Sequence, residues 1–257
     1  MPDHVNGVNM PRMRTRVAPR KGEYHHGDLR NALVAAALKL VAKDGVEGFS
    51  LREAARAVGV SPAAAYRHFQ DRSALLKALA HEGLARLALK MEGAVATAPG
   101  APGSPARAAA ELAGIGAAYV EFAVGHASHF RVMFGPWCDL SDELAPELLP
   151  HGRDPLQLLG DTLDGMVRAG AITAAARHGA ETFAWSAVHG FASLLVEGGL
   201  PLGAAERARA YGVVQRMILL GLGVAQELAG PLLRPTLPDL RPKRAPRKPP
   251  LGRRTGV

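Results

Sequence analysis

From Asp28 onward apolar residues recur every three to four positions: Leu29, Ala32, Leu33, Ala36, Ala37, Leu40 and Val41. That spacing gathers them on one stripe of an α-helix, and predicts a helix capped by Asp28 and stopped at Gly45. Ser50-Leu-Arg-Glu53 follows, the pattern in which a serine hydroxyl and a glutamate carboxylate satisfy each other's orphan backbone amides. A second helix therefore begins at Ser50, carries Leu51, Ala54, Ala55 and Val58, and ends at Gly59. Ser61-Pro62 caps a third, running to about Phe69, because proline at the first helical position lacks only an N–H that would have no partner there. Asp71 caps a longer fourth helix through Leu75, Leu76, Leu79, Leu84 and Leu87.

Beyond a Pro/Gly break at residues 97–105, helical spacing resumes over 106–125, 127–134, 154–169, 181–197 and 204–228. No useful length of chain alternates with a strand period, so the predicted fold class is all-α. The Gly135 to Pro150 segment, with three prolines and several acids, is expected to be a flexible portal or lid. Residues 1–23 and 231–257 are rich in proline and poor in apolar side chains that would offset chain entropy, and are expected to be disordered. Between them lie a short-helix module, residues 24–80, and a larger helical domain, residues 81–230.

The second and third predicted helices, joined by Gly59-Val60, describe a helix-turn-helix, whose second helix enters the DNA major groove by its N-terminal end. Ala65 and Phe69, i and i+4, can pack inward, whereas Ala63, Ala64 and Arg67 have no evident core role. Charge bears on this only weakly. The chain holds 31 basic against 23 acidic residues, net +8. The first tail has five basic against two acidic residues and the last has eight against one, so the tails carry the whole excess. Residues 24–80 hold eight against five, and residues 81–230 ten against fifteen. A basic module preceding an acidic domain agrees with nucleic acid contacted by the former. The tails themselves read either as solvated extensions or as nonspecific phosphate-binding arms.

The single cysteine, Cys138, excludes an internal disulfide framework and a multi-cysteine metal site, and fits a reducing compartment. No uninterrupted apolar stretch of bilayer-spanning length and no signal-peptide core are evident, so a cytoplasmic location without membrane contact is expected. A P-loop, a G-x-S-x-G elbow and catalytic carboxylate pairs are all missing, and Gly221-Leu-Gly223 lies in a helix with no preceding strand. The expectation is neither an enzyme nor a cofactor protein. His126 and His129, at i and i+3, lack a third metal ligand at suitable spacing, so no metal is expected.

Gly45 to Ala55 (GVEGFSLREAA), Val58 to Phe69 (VGVSPAAAYRHF) and the following DRSALL resemble the DNA-binding domain of TetR-family regulators, over residues 24–80 without a gap. The resemblance implies that Ala63, Ala64 and Arg67 face bases and that Tyr66 and His68 contact phosphate. It further implies that Ser50 and Arg52 anchor the second helix to the DNA backbone, with Ser61 in the same contacting set. Arg72, where a lysine is common in the family, is expected on a phosphate. Ala65 is smaller than the family's usual residue at that place. With alanines leading the reading helix, thymine-methyl contact and an Arg67 to guanine pair are the expected readout.

In the second domain His126 to Phe134 (HASHFRVMF) is similar to a segment common in ligand domains of this family, with Ser128 where proline is frequent. Trp185 to Gly190 (WSAVHG) resembles the W-x-x-x-H-G signature of a TetR-type C-terminal subfamily. A helical domain that binds a small molecule needs an apolar cavity with a few orienting polar groups. Candidates for its lining are Phe122, Phe130, Met133, Phe134, Trp137, Met166, Phe183 and Trp185, with His126, His129 and His189 as polar points. Each also reads as plain core, and Cys138 as an inert thiol or a redox sensor. The last two helices, near 182–197 and 204–228, are rich in small residues, and the resemblance implies that they form a four-helix homodimer interface.

The combined expectation is a homodimeric transcriptional regulator of a double-stranded DNA operator, a repressor released by a small apolar or amphipathic effector. Two alternatives stand beside it: an effector-independent, nucleoid-type DNA-binding protein, and a ligand-dependent activator. A sizeable acidic second domain speaks against packaging alone.

Overall fold

The computed structural model describes residues 26–138, 149 and 152–229. Both tails and nearly all of the expected portal segment beyond Cys138 lie outside the described residues. Every regular element among the described residues is a helix.

The first three helices are α1 (His26–Asp44), α2 (Leu51–Val58) and α3 (Pro62–Tyr66), followed by the long α4 (Arg72–Ala96). The local capping chemistry forms as the sequence spells it. Ser50 Oγ accepts the Glu53 N–H at 3.2 Å, and Glu53 Oε2 accepts the Ser50 N–H at 2.8 Å. Ser61 Oγ accepts from Ala64 N–H at 3.2 Å, and Asp71 Oδ1 from Ala74 N–H at 2.7 Å. Gly59 ends α2 in the left-handed region, φ +80°, which a side chain would resist. Two boundaries differ from expectation. Helix α1 starts at His26, so Asp28 lies inside its first turn, and α3 stops at Tyr66, with Arg67 and His68 continuing as a turn.

The larger domain contains α5 (Pro105–Gly125), α6 (Ala127–Met133), α7 (Pro155–Arg168), α8 (Ala174–Arg177), α9 (Ala180–Val196), α10 (Ala204–Gly221) and α11 (Gln226–Ala229). The expected single helix over 204–228 is broken because Gly223 takes φ +84°. Helix α5 lies at the centre, packed against α4, α6, α7, α9, α10 and α11. By length and composition α5 could cross a membrane, although Arg107, Glu111 and Glu121 interrupt its apolar run. Its apolar residues are instead spent on the core, where Leu112, Ile115, Phe122 and Ala123 are all buried.

Two hydrophobic cores result. One joins Leu33, Leu51, Ala65 and Phe69 to Leu75, Leu76 and Leu79 of α4, and takes in Val132 of α6. The other joins Leu87 and Met91 of α4 to Leu112, Phe122, Phe130, Met133, Leu158, Leu163 and Leu219. Helices α4 and α6 thus belong to both. Gly83 permits their close approach, since a Cβ there would stand 2.7 Å from Met133 Sδ.

Leu79 has no solvent exposure. Leu79→Ala is expected to destabilise the protein by about 2–5 kcal/mol through lost burial and the cavity left behind. Denaturant unfolding checks this, and a change below about 1 kcal/mol contradicts it.

Candidate functional site

Two surfaces carry the candidate chemistry. On the N-terminal module Arg52, Ser61, Ala63, Tyr66 and Arg67 are exposed and His68 is half-buried. Tyr66 is 46% exposed. Ala64 departs from expectation: it is buried in the N-terminal core beside Ala65. Ala64 thus has a core role that the helical spacing did not reveal. The Ser50 hydroxyl is engaged in its capping box. Arg72 is turned to the protein. Its guanidinium donates to the Val46 carbonyl and to Glu47 Oε2, and lies 5.4 Å from the centre of the Phe49 ring. It thereby ties the start of α4 to the loop between α1 and α2.

The second feature is a cavity of about 100 Å³, opening to about 970 Å³ of empty space when its mouth is counted. Its walls come from α4 (Leu84, Leu87, Met91), α5 (Leu112, Ile115, Tyr119), α7 (Leu156, Leu159), α9 (Ala184, Trp185, Val188) and α10 (Tyr211, Gln215, Ile218, Leu219), with Phe134 after α6. Of the expected lining residues, Phe134 and Trp185 are there. Phe122, Phe130, Met133 and Met166 are buried in the core instead, because the inward stripe of a helix fills contacts before it leaves space. Phe183 is 45% exposed, and its ring packs where a side chain at Gly221 would stand. Trp137 leans on the N-terminal core, its indole N–H donating to the Val132 carbonyl at 2.7 Å. His126 is exposed and stacks on Phe122 with ring centres 4.8 Å apart.

His189 stands just behind the lining. Its Nδ1 is 2.8 Å from the Tyr119 hydroxyl, and its ring lies 4.5 Å from Phe134, 5.4 Å from Phe130 and 5.7 Å from Trp185, centre to centre. The histidine therefore orients Tyr119, which does face the cavity. Tyr119, Tyr211 and Gln215 were not anticipated. A signal existed: Leu112, Ile115 and Tyr119, and likewise Tyr211, Gln215 and Ile218, place a polar tip on an apolar helical stripe.

Electrostatically the cavity is quiet. Burial raises the Tyr119 and Tyr211 phenols above their ordinary values and lowers the His189 imidazole, so all three are neutral near pH 7. On the α4–α6 contact, the buried His129 Nε2 is 3.8 Å from Glu82 Oε1, too long for a hydrogen bond. His129 and, less strongly, Arg86 hold the Glu82 carboxyl below its usual range. Among the described residues no three His, Cys, Asp or Glu side chains converge as metal ligands.

The lowered His189 gives a pH effect a definite sign. The unfolded imidazole titrates near 6.5, whereas the folded one resists protonation, so below that pH the unfolded state binds more protons. The stabilisation is complete above 6.5 and is lost as pH falls through the lower folded value. Thermal unfolding between about pH 7.5 and about pH 5.5 should show a smaller loss of Tm in His189→Gln than in the unaltered protein. Equal losses in the two proteins contradict it.

A family model described as bacterial regulatory proteins, tetR family, matches residues 33–79, and one described as tetracyclin repressor-like, C-terminal domain, matches residues 112–218. The latter match says nothing of the Trp185 to Gly190 signature. None of the curated proteins compared matches the chain. Among solved structures, a protein of unknown function from Rhodococcus sp. RHA1 is 33% identical, with 79% of this chain and 98% of that one covered and a TM-score of 0.58. The TetR family transcriptional regulator PfmR from Thermus thermophilus is 24% identical, with 74% and 98% covered and a TM-score of 0.51. The fatty acid degradation regulator FadR from Bacillus halodurans is 15% identical, with 78% and 97% covered and a TM-score of 0.56. The last two likenesses bear on the fold alone. With a capped helix-turn-helix joined to a helical domain around an apolar cavity, and with both parts matched, the chain belongs to the TetR family of bacterial transcriptional regulators.

Proposed function

We propose that this regulator is a cytoplasmic homodimeric repressor whose operator binding is released when a small apolar or amphipathic molecule occupies the cavity. The observation that carries the reading is the double duty of α4. Its first half anchors the DNA-binding module through Leu75, Leu76 and Leu79, and its second half lines the cavity through Leu84, Leu87 and Met91. A ligand that favours one position of α4 over another therefore biases the placement of the reading helix. Coupling of this kind needs only differential affinity for the two arrangements. In this reading Arg67 and Ala63 face bases, while Arg52, Ser61, Tyr66 and His68 meet the DNA backbone.

A two-fold dimer supplies the second half-site that a lone helix-turn-helix lacks. Support for α9 and α10 as its interface comes from Phe183 and Leu194 on the former and Met217 on the latter. All three are large apolar side chains left exposed, at 45%, 51% and 63%.

Arg67→Ala is expected to weaken binding to selected operator DNA by about tenfold or more, a loss of ~1–3 kcal/mol, while nonspecific binding changes little. Equal losses on operator and random DNA, measured by fluorescence anisotropy, contradict base reading. Met217→Asp is expected to shift the chain to monomers in sedimentation equilibrium and to abolish tight operator binding. A dimer that survives this substitution contradicts the interface. The reading as a whole is tested by operator release across a panel of small molecules, and a panel without effect goes against it.

A further inference from the structure

The chemical class of the effector can be read from which cavity groups already have partners. This inference rests on the proposal that the cavity is the effector site. Tyr211 is 8% exposed and lines the cavity, yet among the described residues its hydroxyl makes no hydrogen bond. Its position is built in: the hydroxyl stands 2.2 Å from where a Cβ on Gly116 would be, so glycine at that place leaves room for it. Gln215, one turn further along α10, also lines the cavity, and its amide too lacks a partner among the described residues. The Tyr211 hydroxyl and the half-buried Gln215 amide both face the opening, so a ligand that brings an oxygen to them gains hydrogen bonds while its hydrocarbon part covers the surrounding apolar wall.

Charge limits the choice. No Lys, Arg or His is among the described lining residues. Asp154 is the one ionisable acid there, and its Oδ1 already accepts the backbone N–H groups of Leu156 and Gln157 at 2.8 Å each. A carboxylate entering this cavity would find no cation among the described lining residues and would face Asp154. An ammonium would be desolvated among Leu, Ile and Trp side chains against a carboxylate already used as a helix cap.

We propose that the effector is an uncharged, largely hydrocarbon molecule bearing a hydroxyl or carbonyl oxygen that hydrogen-bonds the Tyr211 hydroxyl and the Gln215 amide. Tyr119, held by His189, completes the polar strip one turn from Gly116 on α5. Anionic and cationic versions of the same skeleton are expected to bind more weakly, since the described lining offers no cation to an anion and its one carboxylate already caps a helix.

The test uses the full-length protein and four probes of one skeleton: 4-butylphenol, 4-butylbenzoate, 4-butylbenzylamine and butylbenzene, each titrated by calorimetry. The phenol is expected to bind at least about tenfold more tightly than either charged probe, the difference of one net hydrogen bond or more. Tyr211→Phe and Gln215→Leu should each cost the phenol about tenfold while leaving butylbenzene unchanged. Benzoate or benzylamine binding as tightly as the phenol overturns the inference and leaves the effector site standing. So does a phenol affinity untouched by both substitutions. If none of the four binds the unaltered protein, both the inference and the reading of the cavity as an effector site fall. The comparison of probes on the unaltered protein decides the matter even if a variant folds poorly.

Discussion

The packing of α4 and α6 into two hydrophobic cores at once is the constraint on which everything else in this molecule depends. Leu75, Leu76 and Leu79 close the N-terminal module, and half a helix later Leu87 and Met91 close the larger domain. On α6 the division falls between adjacent residues, Val132 turning to one core and Met133 to the other. Side chains packed at crystal-like density do not slide past one another without cost, and α4 is held by such contacts in both of its halves. The close Gly83 to Met133 approach brings the two helices together where they cross between the cores, with His129 and Glu82 facing each other beside it.

The same economy governs the polar groups of the larger domain. His189 is enclosed by Phe130, Phe134 and Trp185, an environment that keeps it uncharged and leaves it to orient Tyr119. Tyr211 and Gln215 are placed on an apolar stripe with nothing in the described structure to bond. Polar groups with partners organise the wall, and those without one among the described residues are turned to the cavity.

How much was legible beforehand follows the distance over which each feature is determined. The caps at Ser50, Ser61 and Asp71 join groups three residues apart, so the sequence spells them out. Helical stripes are equally local, and they locate the inward faces of α4, α5, α9 and α10. The end of α10 was less legible, because a glycine inside an apolar run gives no sign by itself that it will adopt a left-handed conformation. Ala64 and Asp28 were misjudged for a related reason: a short helix's tilt, and a long helix's first turn, are settled by what they pack against.

For the site, periodicity showed which residues turn inward but not which of those meet a neighbour and which border a gap. Phe122, Met133 and Met166 meet neighbours; Tyr119, Tyr211 and Gln215 border the gap. Trp185 and His189 were visibly on one helical face, whereas the Tyr119 hydroxyl that His189 holds lies seventy residues away. The amino-acid order thus determined the helices, their caps, the helix-turn-helix and the family, all of which rest on contacts within a few residues. Where Arg72 turns, which core claims each half of α4 and where the cavity opens were decided by tertiary structure alone, because each depends on surfaces that meet only after the helices have packed.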